Sequence, residues 1–344
     1  MPDLLTELND QRRKVDFDTF DITVKELLSM VVDELIDIAP EYQRQFRWSD
    51  VRQSTFIESV FLGIPVPSLF MAANSDASWE LIDGVQRLST LAHFVAEPQH
   101  LKVIGRPEPL RLTGLLKLET FNNKVFTDFP PPVRTQFLLK PLKITTISDK
   151  SDLSVRFDLF ERLNTGGVSL TSQEIRACLY RGEFSEFLRE LAANKAFRTV
   201  VRLKSGDEHN ATREDFVLRF FAYLHDYTKF DHIVVDFLNT YMEKASKTFD
   251  YASNRSIFED TFARLAKLFP HGLKRGNVTP ANLFEAVAVG AALVLKKAGQ
   301  LKTSGVSKWV ASDDLRQLTS GGTNTNKMVR GRIEFCRDKF LGGD

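Results

Sequence analysis

Trp79-Glu80-Leu81-Ile82-Asp83-Gly84-Val85-Gln86-Arg87-Leu88-Ser89-Thr90-Leu91 is the stretch on which the fold turns. Trp79 to Ile82 reads as a short strand, and Asp83-Gly84 is a turn pair. From Val85 the apolar residues fall at helical spacing through Leu88, Leu91 and Val95. The pattern predicts a strand that turns on Asp-Gly directly into a helix. The first turn of such a helix carries unpaired N–H donors and partial positive charge, which suits an anion. Arg87 adds a forked cation matched to phosphate or carboxylate. Asp83 adds a carboxylate for a metal ion or an attacking water. The plainer alternative has Asp83 capping the helix and Arg87 pairing with a surface acid.

Upstream, Thr23-Val-Lys-Glu26 is a capping box followed by the apolar face Leu27, Leu28 and Val31. A strand is expected over 34–38. Next comes Tyr42-Gln43-Arg44-Gln45-Phe46-Arg47-Trp48, in which aromatic and amide or guanidinium groups are interleaved. Ser49 caps a helix over 50–62 that closes on Gly63. Ile64-Pro-Val-Pro67 is a stiff connector to a strand over 68–73. Residues 97–150 are broken by Pro98, Pro107, Pro109 and Pro130-Pro131-Pro132, with short strands expected at 110–112 and 142–147. A domain boundary is placed near Lys150, giving 1–150 and 151–344.

Beyond it the period is helical. One helix stops at Asn164-Thr-Gly-Gly167, and the capping box Thr171-Ser-Gln-Glu174 opens the next. Further helices are expected at 184–193, 213–228, 232–248, 256–269, 280–297 and 326–340. The fold class expected is α+β: a small mixed sheet with helices, then an α-helical domain.

Composition narrows the function classes. The net charge is +1, so no global field draws the chain to nucleic acid or membrane. The 28 phenylalanines, against 3 tryptophans and 6 tyrosines, favour packed helices over exposed stacking platforms. Cys178 and Cys336 have no CxxC partner, which speaks against a disulfide scaffold or a cysteine zinc site and fits a reducing cytosol. The acidic N-terminus lacks a signal-peptide pattern. The apolar run 286–295 is too short to cross a bilayer. The expectation is a cytoplasmic protein with no membrane partner. Walker, Rossmann, GxSxG and HExxH patterns are absent. Locally the charge is uneven: from Arg264 to Lys339 there are fourteen Lys and Arg against five Asp and Glu. DNA contact through these basic C-terminal helices is one expectation, a solvated surface the other.

Three polar clusters remain: Gln43-Arg44 with Arg47, Asp83-Gly84 with Gln86-Arg87, and Asn164 with Gly166-Gly167. One expectation is that they meet in one pocket; the other is that 42–48 is a half-buried strand with Arg44 and Arg47 solvated, and Asn164-Thr-Gly-Gly167 only a helix C-cap and loop. In this order, with the connector Gly63-Ile-Pro-Val-Pro67 and the run Phe160-Glu-Arg-Leu-Asn164 through Gln173-Glu-Ile-Arg176, they resemble the N-terminal-domain family of the GmrSD type IV restriction enzymes. That family has a ParB/sulfiredoxin-like fold and a DGQQR signature, of which this chain carries Asp83-Gly84-Val85-Gln86-Arg87, with Val85 where the first Gln stands. The resemblance implies nucleotide binding, NTP hydrolysis with Mg²⁺, and defence against foreign or modified DNA. Carried over by position, Asp83, Gln86 and Arg87 are the catalytic candidates, with Asp83 also the metal ligand. Gln43, Arg44, Arg47, Gly84, Thr90 and Asn164 would bind nucleotide. Family members that cut DNA often carry an HNH-type module that is not seen in this sequence, so cutting would need a separate nuclease or defence-system subunit. The other expectations are a non-catalytic DNA-binding or regulatory subunit, and a metal-dependent nickase using the same pocket. A homo-oligomer is a further expectation.

Overall fold

A computed structural model describes residues 3–12, 16–37, 48–74, 77–148, 153–163, 171–322 and 324–342. The chain falls into two units, Met1–Ser169 and Leu170–Asp344. The first holds a five-stranded sheet and the second is helical, so the fold class is α+β as the sequence implied. The helix over 153–163 goes with the first unit, so this division falls some twenty residues after the expected Lys150 boundary.

In the first unit the order is α1 (Leu4–Arg12), β1 (Phe17–Thr23), α2 (Val24–Val32), β2 (Ile36–Asp37), α3 (Asp50–Leu62), β3 (Leu69–Ala73), β4 (Trp79–Asp83), α4 (Val85–Val95), α5 (Pro98–Ile104), α6 (Pro131–Leu138), β5 (Pro141–Ile147) and α7 (Leu153–Leu163). The sheet runs β1-β5-β3-β4-β2. β5 pairs antiparallel with β1 and parallel with β3, and β4 pairs antiparallel with β3 and parallel with β2. β4 therefore has a neighbour on each side, and Glu80, Leu81 and Ile82 are all buried.

The helix ends follow the sequence closely. Thr23 Oγ1 accepts from the Glu26 N–H and starts α2. Ser49 Oγ accepts from the Arg52 N–H and starts α3, which ends on Gly63 at φ +70°. The phenylalanines form the core: Phe61, Phe94 and Phe137 meet with centroids 4.7–6.0 Å apart, and Phe94 and Phe137 are wholly buried. The expected strand at 110–112 is not one. Leu110 and Leu112 are buried, but the Leu112 N–H donates to Lys124 O and its carbonyl accepts from Asn123, a local loop instead of a ladder. Conversely β1 was not anticipated; its side chains are largely exposed, so no apolar alternation marks it.

The second unit contains α8 (Ser172–Leu179), α9 (Glu183–Ala192), α10 (Lys195–Val200), α11 (Thr212–Asp226), α12 (Val234–Lys247), α13 (Tyr251–Leu268), a rod α14 over 281–298, then α15 (Val306–Val310), α16 (Asp313–Thr319) and α17 (Asn326–Leu341). Its core is again aromatic, with Phe197, Phe220, Phe258, Phe262 and Phe284 wholly buried. The rod widens to a π turn over Glu285–Val289. Among the described residues no helix is long and apolar enough to cross a membrane.

Candidate functional site

The β4–α4 turn is built by a register slip and a glycine. Phe70 faces Asp83 while the next pair is Met71 with Leu81, so β4 carries one extra residue, Ile82, beside the turn. Such a bulge bends the strand and re-aims the residue that follows. Gly84 then sits at φ +115°, and a Cβ there would lie 2.2 Å from Leu69 Cδ2. Both the backbone angle and the packing demand glycine. α4 begins at once, and no side chain caps it. Its first N–H groups therefore take no side-chain cap.

Arg87 is 8% exposed, and its donors are engaged. Nη1 donates to the carbonyls of Pro67 and Ser68 at 2.5 and 2.8 Å, and Nη2 donates to Asp83 Oδ2 at 2.5 Å. The arginine therefore fastens the Gly63–Pro67 connector to the turn. Asp83 keeps 37% of its side-chain surface exposed while one oxygen holds Arg87. Gln86 Oε1 accepts from the Trp48 N–H at 3.0 Å. Thr90 is fully buried, and its hydroxyl donates to the Gln86 carbonyl at 2.6 Å.

Gln43, Arg44, Arg47 and Asn164 lie outside the described residues. The described residues flanking the first cluster are informative. Ile36 and Asp37 pair in parallel with Trp79 and Glu80 of β4, and Trp48 hangs on Gln86.

A second polar layer escaped the sequence reading. Gln53 of α3 is fully buried; its Nε2 donates to Trp48 O at 2.9 Å, and its Oε1 faces His93 Nδ1 at 2.8 Å. His93 Nε2 lies 3.0 Å from the Glu108 carbonyl. Burial lowers the pKa of His93, an effect that the Glu108 carbonyl only partly offsets. The available signal was Gln53 itself, a polar residue at the spacing of Phe56, Ile57 and Val60.

Residues 24–181 match the family model described as GmrSD restriction endonuclease, N-terminal domain. This region is similar to a GmrSD-type N-terminal domain. The match begins at Val24, the first residue of α2, and ends just past α8. No curated protein and no solved structure matches the chain. Within the matched segment, the Gln173-Glu-Ile-Arg176 motif serves the helical unit. Thr171 and Glu174 form a reciprocal capping box. Arg176 is 1% exposed and donates to Asp215 Oδ1 at 3.1 Å and to Asn239 Oδ1 at 2.8 Å.

Among the described residues no three His, Cys, Asp or Glu side chains are grouped to hold a metal. Mg²⁺ commonly uses one or two carboxylates and completes its shell with phosphate oxygens and water. The partly exposed Asp83 offers one such carboxylate, but it does not make a metal site alone.

Proposed function

We propose that this protein is a component of a restriction-type defence system acting on modified DNA, and that its N-terminal unit binds a nucleoside triphosphate over the β4–α4 turn. The observation that carries this reading is the Trp48–Gln86 hydrogen bond, which holds the residue that follows Arg47 in sequence against the Asp83–Arg87 turn. The phosphates would lie against the uncapped start of α4, where Gly84 lets backbone N–H groups approach closely. Asp83 would hold Mg²⁺, which when bound would supply Lewis-acid assistance to phosphoryl transfer. Arg87 would fix Asp83 in place, and Gln86 and Thr90 would hold the turn. Gln43, Arg44, Arg47 and Asn164 enter on the family resemblance.

The test is phosphate release from a panel of NTPs with Mg²⁺. Turnover by the unaltered protein, abolished in Asp83→Asn while the melting temperature holds, supports an NTPase. A second reading, a nucleotide-sensing regulatory subunit without turnover, is favoured by Val85 in the signature and by the engaged donors of Arg87. It gives a thermal shift with no phosphate release. Plasmid nicking without NTP would instead indicate a metal-dependent nickase. An unaltered melting temperature with every NTP, and no product in either assay, would remove this turn as the site. Saturation at 100 times Kd should add about 2.7 kcal/mol to the N-terminal unit's stability.

A further inference from the structure

The fourteen cations between Arg264 and Lys339 are not equivalent. Arg332 is buried on Glu285, Arg264 pairs with Asp260, Arg316 pairs with Asp313, Arg330 donates to Thr228 O, and Arg275 donates to the Thr319 hydroxyl. Each of these is engaged by a partner within the second unit. A second group, mostly lysines, gathers where α14 and α17 both end, with Arg337 paired to Asp338 at 2.8 Å. There a cleft of about 460 Å³ is lined by Tyr227, Leu293, Lys297, Arg337, Asp338 and Leu341. Lys296 is the exposed neighbour of Lys297. Lys302 is brought alongside by its N–H, which donates to Phe340 O at 2.9 Å, and its ammonium lies beside Gly342. Lys339 lies over the Phe335 ring, 5.8 Å from its centroid.

We propose that this cleft and its lysine rim bind the sugar–phosphate backbone of duplex DNA. The inference rests on the reading that the protein acts on DNA, and it names the face that does so. Five cations, Lys296, Lys297, Lys302, Arg337 and Lys339, stand against two carboxylates, Glu334 and Asp338, an excess of three. The carbonyl ends of two helices also point here, and lysines in a last turn commonly offset them. Each helix end amounts to roughly half a negative charge, so about two positive charges remain uncompensated. The exposed ammonium groups of Lys296, Lys297 and Lys302, spread around an open cleft, suit an extended polyanion; a single triphosphate asks for cations converging on one point.

Fluorescence anisotropy of a labelled duplex against the full chain, over a salt series, tests this. Each lysine–phosphate contact contributes about 0.9 to the slope of log K against log salt. The triple variant Lys296→Gln, Lys297→Gln, Lys302→Gln should lower the slope by roughly two to three. Lys267→Gln with Lys274→Gln, elsewhere in the same basic stretch, should leave it unchanged. Circular dichroism melts confirm that each variant is folded. An unchanged slope in the triple variant, no duplex binding by the unaltered protein, or full displacement of duplex by free triphosphate at equal phosphate concentration overturns the proposal. Missing phosphate release by the unaltered protein bears on the nucleotide site alone and leaves the anisotropy readout standing.

Discussion

Gly84 is the residue on which the candidate site depends most directly. A methyl group there meets Leu69 at 2.2 Å, in a backbone region that side chains avoid. Gly84→Ala should cost about 2–3 kcal/mol, read as a lowered urea midpoint with an unchanged m-value. His93 and His100, 6% and 4% exposed, give a pH signature. Burial lowers both pKa values; carbonyl contacts and nearby acids only partly offset it. The unfolded chain then takes up these protons more readily than the folded one, so stability is full above the ordinary histidine pKa, about 6.5. It declines as pH falls from there through the lowered folded values. Melts of residues 1–169 at stepped pH should show that decline, and His93→Gln should flatten it. A melting temperature that rises below pH 6.5 would contradict the assignment.

Among elements, the π turn of α14 is the most constrained. It sets Glu285 wholly inside the second unit, where Oε1 accepts from Arg219 at 2.8 Å and Oε2 from Arg332. Arg219 also holds Asp215, which holds Arg176. Burial pushes the Asp215 carboxyl upward, but the two guanidinium groups outweigh it and keep the pKa below the usual range. Removing one partner from a buried pair leaves the other uncompensated, so Glu285→Ala should cost about 3–5 kcal/mol by denaturant titration. Elements of this kind separate what was legible from what was not. Helix limits marked by Thr23, Ser49, Gly63 and Thr171 could be read because each signal is local. The segment 105–128 could not, because remote side chains order it. Buried Glu58 of α3 accepts from the N–H groups of Lys117 and Leu118, and Ser54 accepts from Thr113. No spacing within the segment encodes those partners. The Asp83–Arg87 turn was legible as strand, turn and helix. That Arg87 would turn inward to Pro67 and Ser68 was not, since backbone carbonyls leave no trace in residue types.

Across the molecule, the family match and the physical division fall at different places. The match ends at residue 181, whereas the second unit begins at Leu170 and takes α8 with it. A fragment 170–344 retains Arg176 and its bonds to Asp215 and Asn239; a fragment 182–344 loses them. We expect the longer fragment to melt cooperatively as a helical protein and the shorter one to be less stable by about 3 kcal/mol or more. Equal melting temperatures would show that Arg176 is dispensable. Both cysteines, Cys178 and Cys336, are buried in this second unit. Gly290 lies so close to Cys336 that a methyl there would sit 2.8 Å from its Cβ. A thiol reagent such as a maleimide therefore has nothing to attack while the helical half is closed. The rate of capture becomes a clock for its opening.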